Sequence, residues 1–312
     1  MNSPIKKTAI IGAGALGATY GSLLYAADPL SVCFIASGER YERLKRNGVT
    51  VNGTLFPVSV TKPEQASPAD LLIVAVKHHH LDQAILEMQH AVGGDTLILS
   101  VMNGIDSEER IGTVYGMDKV IYGLTLGIDA VRDDTTVRYT SLGKVLFGEI
   151  RNQIPSERVK RISQLFNRAK IANDVPKDML RALWFKFMIN VGVNQVSAVM
   201  GMTYGEIRNS SEAKRLMESA MLEVIQIAQS LQINLSEKDL TEWYTVLSTL
   251  GADSKTSMLQ DVEAGRKTEV EMLAGTVIRL GAKQGIPTPV NRWLCDKLRQ
   301  IEQCPAQSPA NL

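Results

Sequence analysis

The sequence predicts an α/β domain followed by an all-α domain, and three observations carry that expectation. Short apolar runs alternate with amphipathic stretches through the first half of the 312 residues. A glycine-rich loop joins the first apolar run to the first amphipathic stretch. After Pro176 the periodicity is helical throughout. Strands that alternate with helices build a mostly parallel sheet wound in βαβ units. The length suits two domains at roughly 100–200 residues each. The expected division is 1–172 and 173–312, with the join near 170–176.

Taken in order, KTAII (7–11) reads as a strand, GAGALG as a loop and ATYGSLLYAA as the first helix. LSVCFIA (30–36) reads as the second strand, and GERYERLKRNG (38–48) as a charged helix stopping at Asn47-Gly48. VTVNGTLFPVSV predicts an edge hairpin turning at Asn52-Gly53, a strong two-residue turn signal. DLLIVAV (70–76) is unbroken and apolar, as a strand buried on both faces should be. A helix over 80–92 and a buried strand over 95–104 follow, then strands around KVIYGLTL and TVRYTSLGKVLFGE. SERVKRISQLFNRAK (156–170) is an amphipathic helix and IANDVP an extended piece. Five helices are expected beyond it, over about 177–202, 209–231, 236–249, 256–285 and 290–303, before a Pro/Ser/Asn-rich tail expected to fray.

Composition narrows the function classes. Hydrophobic residues make up 45% and charged residues 21%, with a formal net charge of +1. That balance points to neither nucleic acid nor an anionic membrane as a partner. Three cysteines, Cys33, Cys295 and Cys304, are too few and too unpatterned for a disulfide framework or a zinc site. MNSPIKKTAIIGAG runs straight into the glycine loop, so a cytoplasmic location is expected. The apolar stretch 182–202 has the length of a membrane span, but Lys186 within it would cost roughly 2.5–3.5 kcal/mol at a bilayer centre. A helix buried in protein fits better. His78-His79-His80 carries no metal expectation, because consecutive residues do not converge on one ion.

Gly12-Ala13-Gly14-Ala15-Leu16-Gly17 is GxGxxG between a strand and a helix, the context that gives this pattern its meaning. Gly12 allows the tight turn, Gly14 lets a pyrophosphate approach the backbone, and Gly17 lets helix and strand pack closely. The helix N-terminus then holds the anion. The domain is therefore expected to be a Rossmann-type doubly wound sheet. Near the end of the second strand, Glu39 suits a ribose 2′-OH and hence NAD, whereas Ser37 and Arg40 suit the 2′-phosphate of NADP. Lys77 ends the third strand and adds a second positive charge at the same edge. Asn103-Gly104 ends the next strand and reads either as a plain turn or as a ligand contact at the carboxyl edge.

In ALWFKFMINVGVN, Lys186, Asn190 and Asn194 recur every four residues, which places them on one face of a helix. Burial lowers a lysine pKa toward neutrality, where it can act as a general acid. Ketone reduction needs a hydride on carbon and a proton on oxygen, and the two amides would orient a polar substrate. The alternative is a lysine that snorkels to water. A second dense segment, SKTSMLQDVEAGRKTEVEMLAG, offers Ser257 as a helix cap and carboxylate donor. Asp261, Gly265 and Glu269 follow it at four-residue steps. Glu269 reads either as a ligand contact or as a salt-bridge partner of Arg266 or Lys267.

Together these segments resemble the ketopantoate reductase family (2-dehydropantoate 2-reductase). The resemblance rests on GAGALG, Val76-Lys77, Met102-Asn103-Gly104, the Lys186/Asn190/Asn194 spacing and SMLQDVEAGRKTEVEMLAG, and spans nearly the whole chain. It implies a Rossmann domain, a helical domain and NADPH-dependent reduction of 2-dehydropantoate to pantoate, on the way to pantothenate and coenzyme A. It implies Lys186 as catalytic acid, Asn190, Asn194 and Ser257 as substrate contacts, and Lys77, Asn103 and Glu269 as cofactor contacts. Two positions depart from the family pattern. Ser37 stands where an arginine commonly follows the second strand, leaving Arg40 to supply the charge; Tyr204 stands where some members have asparagine. The alternatives are a D-2-hydroxyacid dehydrogenase acting on another branched 2-keto acid and a dinucleotide sensor without catalysis, and NAD is the alternative cofactor. A homodimer is compatible with the sequence.

Overall fold

The structure, a computed structural model, describes residues 3–133 and 136–303. The tail expected to fray lies, but for Gln303, outside the described residues, as does Cys304. The chain forms two compact units, residues 1–179 and 180–312.

The first unit runs β1 (Thr8–Ile11), α1 (Ala15–Ala27), β2 (Val32–Ile35), α2 (Gly38–Asn47), β3 (Val49–Val51), β4 (Thr54–Phe56), β5 (Ser59–Thr61) and β6 (Leu71–Val74). It continues with α3 (Leu81–Glu87), β7 (Leu97–Ser100), α4 (Ser107–Tyr115), β8 (Val120–Ile128), β9 (Val131–Asp133), β10 (Thr136–Arg138), β11 (Leu142–Gly148), α5 (Glu157–Arg168) and β12 (Asn173–Asp174). Eight strands form one sheet in the order β12-β11-β8-β7-β6-β1-β2-β5. Its pairings are parallel except between β8 and β11.

Alternation along these strands feeds two apolar layers. Ile10, Phe34, Leu71, Ile73 and Leu99 pack on one face with Ala18 and Leu24 of α1 and Ile162 and Phe166 of α5. Ala9, Ile11, Leu72, Val74 and Ile98 pack on the other with Leu81 and Ile85 of α3 and Ile111 of α4. A parallel strand covered on both faces must be apolar at every position, which is why β1, β6 and β7 are buried throughout.

Several elements differ from expectation. The hairpin turns at Asn52-Gly53, both with positive φ. It is not on the edge of the main sheet: β3 pairs with β10 in a separate four-stranded sheet, β4-β3-β10-β9, and β5 takes the edge next to β2. TVRYTSLGKVLFGE is two strands, because the Asp129 carboxylate accepts from the Thr140 and Ser141 amides and turns the chain between them. The helix over 80–92 is the short α3 between 3-10 turns at His78–His80 and Gln89–Ala91. Helix α4 is an element the periodicity passed over. Residues 173–179 belong with the first unit, not the second: β12 pairs with β11 and the Met179 amide donates to the Ile150 carbonyl.

From the last residue of the first unit, α6 (Met179–Ile189) leads into the second, which continues with a π turn (Asn190–Asn194), α7 (Gln195–Met200), α8 (Tyr204–Asn209), α9 (Ser211–Ser230) and α10 (Lys238–Thr249). Next come α11 (Ser257–Glu263), a second π turn (Glu271–Gly275), α12 (Thr276–Gln284) and α13 (Pro289–Gln303). The helix expected over 256–285 breaks after α11, where Gly265 takes a left-handed φ of 61° and the Arg266 amide returns to the Asp261 carbonyl. No helix among the described residues is long and apolar enough to cross a membrane.

Candidate active site

The glycine loop connects β1 to α1. Gly12 has φ 101°, and a Cβ there would lie 2.5 Å from the Ala75 carbonyl oxygen. A Cβ on Gly17 would lie 1.8 Å from the Gly12 carbonyl oxygen, so helix and loop touch backbone to backbone. Gly14 is the N-cap of α1 and supplies no side-chain cap, and the first turn of α1 carries no acidic residue. A Cβ on Gly14 would meet nothing nearer than Ala75 O at 4.0 Å. The first-turn amides and the helix dipole thus face an open cradle of the kind that binds a phosphate. Sequence reasoning missed one member of this loop. Arg132 of β9 donates from Nη1 to the Ala13 carbonyl at 2.7 Å. Its signal was hidden because the small sheet that delivers it was not foreseen.

At the ends of β2 and β6, Ser37 donates to Glu87 Oε1 at 2.6 Å instead of capping α2. Arg40 Nη2 lies 3.2 Å from His80 Nε2. Partial burial lowers the His80 pKa, and the positive charges of His79, Arg40 and Lys77 lower it further. Arg40 and Lys77 therefore act on one imidazole, and both disfavour its charged form. The three histidines diverge: His78 contacts Asp106 and Arg110, His80 contacts Arg40, and the ring of exposed His79 packs at a tilt of 58° against that of His80.

Asn103 sits in the turn after β7, between buried Met102 and Gly104 with φ 100°. The Met102 amide donates to Ser100 Oγ at 3.4 Å, Ser100 and Ser107 hydroxyls lie 2.8 Å apart, and Ser107 donates to Glu108 Oε2 at 2.8 Å. Glu108 Oε1 accepts from the Gly123 amide at 3.3 Å. Burial pushes the Glu108 carboxyl up to about 7, against the downward pull of Ser107 and the backbone amides. An unfolded Glu108 ionises near 4.5. The native state holds the extra proton between those values, so this group's contribution to stability is lost as pH rises through about 7. Relative to a Glu108→Met variant, the wild type is expected to lose roughly 2 to 3 kcal/mol between pH 5 and pH 8. Urea unfolding of both proteins at the two pH values checks this, and a pH-independent difference would refute it.

In the second unit, Lys186 and Asn190 are half-buried and Asn194 is buried. Leu183, Trp184, Phe187 and Met188 seat α6 in the core. The three polar residues do not lie on one continuous α-helix, since the π turn begins at Asn190. A π turn takes an extra residue per turn, which carries Asn194 across the axial line through Asn190, from one flank of it to the other.

Ser257 is exposed at the first position of α11, and the cap expected of it is made by Thr256. Thr256 Oγ1 accepts from the Leu259 amide at 3.2 Å and donates to Ser197 Oγ at 3.0 Å, tying α11 to α7. Asp261, Gly265 and Glu269 do not share a helix face. Asp261 is ion-paired with Arg266 at 2.8 Å. Glu269 is half-buried just ahead of the second π turn. Half-buried Tyr204 opens α8, and burial raises its pKa.

The glycine loop, Arg40, Lys77 and Asn103 thus lie in the first unit, and Lys186, Asn190, Asn194, Ser257 and Glu269 in the second. The model of "Ketopantoate reductase PanE/ApbA" matches residues 8–152, and that of "Ketopantoate reductase PanE/ApbA C terminal" matches 178–302. The 2-dehydropantoate 2-reductase of Aquifex aeolicus (strain VF5) is 27% identical over 304 residues, covering 96% of this chain and 97% of that protein. The crystal structure of 2-dehydropantoate 2-reductase from Geobacter metallireducens GS-15 is similar at 28% identity with a TM-score of 0.84, over 94% of this chain and 99% of that one. D-mandelate dehydrogenase with NADH and anilino(oxo)acetate shares the fold, with a TM-score of 0.88 at 21% identity, over 96% of this chain and 99% of that one. With both halves of the family matched in series and its relatives aligned nearly end to end, this chain belongs to the ketopantoate reductase family of oxidoreductases.

Proposed function

We propose that the protein reduces 2-dehydropantoate to pantoate with NADPH. The observation that carries this reading is the pairing of an uncapped, glycine-lined helix N-terminus with a half-buried lysine–asparagine stripe on an otherwise apolar helix. The dinucleotide supplies a hydride to the carbonyl carbon when bound. Gly12 to Gly17 (with Ala13, Ala15 and Leu16 between them) hold its pyrophosphate through backbone amides. Arg40, with Lys77 beside the same imidazole, meets the 2′-phosphate, and Asn103 and Glu269 contact the rest of the cofactor. Lys186 Nζ hydrogen-bonds the substrate carbonyl oxygen and gives it a proton as the alkoxide forms. Asn190, Asn194 and the exposed Ser257 hydroxyl orient the hydroxyl and carboxylate of the substrate.

Tyr204 favours a second reading, reduction of another branched or aromatic 2-keto acid. A half-buried phenol fills more apolar space than the asparagine of some family members. The structure of D-mandelate dehydrogenase, which shares this fold, was obtained with NADH. Initial rates over a panel of 2-keto acids, with NADPH and NADH side by side, test both readings. The expected result is the highest kcat/KM with 2-dehydropantoate and NADPH. Higher kcat/KM on another 2-keto acid, or with NADH, would replace the corresponding half of the proposal.

A further inference from the structure

The π turn at Asn190–Asn194 is held by a buried polar chain that none of the site residues explains. In an α-helix the Gln195 amide would donate to the Val191 carbonyl, four residues back. Here it donates to the Gly192 carbonyl instead. The Gln195 amide therefore does not serve the Val191 carbonyl, in a position where burial demands a partner. The Gln195 side chain fills the gap: Nε2 donates to Val191 O at 2.7 Å. The same nitrogen donates to Asn291 Oδ1 at 3.1 Å. Asn291 Nδ2 donates to Glu223 Oε2 at 2.7 Å and to Ala220 O at 3.2 Å. Glu223 in turn accepts the Val290 and Asn291 amides at 2.8 and 3.0 Å, in the first turn of α13. Gln195 and Asn291 are fully buried, and Glu223 is 6% exposed.

Each orientation in this chain is fixed by its neighbours. The partners of Gln195 Nε2 are both acceptors, so the amide cannot flip. The partners of Asn291 Nδ2 are both acceptors as well. Gln195 Oε1 finds no donor among the described residues, so the side chain makes its two donated bonds at the expense of a buried oxygen. On the far side of the turn, Gly192 lies against α9: a Cβ there would be 2.5 Å from Met221 Cε.

We propose that Gln195, anchored by Asn291 and Glu223, is a positioning residue that keeps this turn in π register and so sets the relative orientation of Asn190 and Asn194. It rests on the reading of those two asparagines as substrate contacts. Without the Gln195 donor, the Val191 carbonyl regains a partner most simply by returning to the α register. That return swings Asn194 from one flank of the axial line through Asn190 to the other, and so changes the angle at which the two amides meet. The angle between the two amides no longer matches the ligand they hold in the π register, while the dinucleotide loop in the first unit is untouched.

The test is Gln195→Met, which keeps length and apolar volume but donates nothing. The expected result is at least a ~10-fold rise in KM for the 2-keto acid with a lower kcat, and a dissociation constant for NADPH unchanged within about two-fold. A crystal structure of the variant is expected to show the residue 195 amide bonded to the Val191 carbonyl. Wild-type KM and kcat, or a variant crystal structure that retains the π turn, would overturn the proposal. Gln195→His supplies one ring N–H in place of the amide's two donated bonds; it is read by the same kinetics and crystallography, and takes over if the methionine variant does not fold. An intermediate KM supports the proposal, and a wild-type KM in a turn that has reverted overturns it. Asn190→Ala and Asn194→Ala are assayed alongside. If both leave the keto acid KM unchanged, the substrate reading fails, and the register seen in the Gln195→Met crystals still decides the positioning claim.

Discussion

Replacing Lys186 by alanine is expected to lower kcat for 2-keto acid reduction by at least ~100-fold, the usual scale for a positioned general acid. Binding of NADPH should change little, because the glycine loop, Arg40, Lys77 and Asn103 belong to the other unit. Lys186→Arg is expected to recover little of the loss. A guanidinium keeps its proton at any working pH, so it can polarise a carbonyl but not protonate an alkoxide. Rapid-mixing measurements of NADPH oxidation in single turnovers separate the chemical step from product release. A single-turnover rate near wild type in the alanine variant would remove Lys186 from the mechanism.

Gly17→Ala is expected to be the most damaging single-methyl change in the first unit. The added carbon would sit 1.8 Å from a backbone oxygen, and neither the loop nor α1 can yield without moving β1 against β6. A cost of roughly 3 kcal/mol or more follows from overpacking of this kind, together with loss of dinucleotide binding. Gly14→Ala provides the contrast, since its methyl enters open space. That variant should unfold within about 1 kcal/mol of wild type yet bind NADPH more weakly, because the methyl occupies the cradle. Denaturant midpoints and fluorescence titrations on the two variants check the distinction. Equal stability losses at both positions would show that the loop has no specific anion-facing side.

The parts of this molecule legible in the sequence are those that local rules govern. Unbroken apolar runs located the buried strands, period-3.6 patterning located most helices, and strand-loop-helix context gave GAGALG its meaning. Asn52-Gly53 turned where its left-handed preference required. What escaped was decided by partners distant in the chain. The small sheet exists because β10 pairs with β3, residues far upstream, and so Arg132 could not be linked to Ala13. The break after α11 comes where Gly265 turns left-handed and the Arg266 amide and guanidinium both return to Asp261. The π turn is invisible to a four-residue count, since four steps bring a side chain near the same face in either register. Only the buried amide of Gln195 marks it, and a lone glutamine in an apolar run carries no such signal without Asn291 and Glu223 beside it.

The outermost strand of the large sheet, β12, has its own implication for how the protein is made. Its residues, Asn173 and Asp174, form the last strand to join the first unit. During synthesis the sheet therefore waits, with β11 as a bare edge, until these residues leave the ribosome. A bare edge strand offers unpaired amides and carbonyls to any neighbouring chain. A gene fragment that stops at residue 152, where the first family match ends, would make that interval permanent. One that runs to 179 closes the edge and is the better choice for expressing the dinucleotide unit alone.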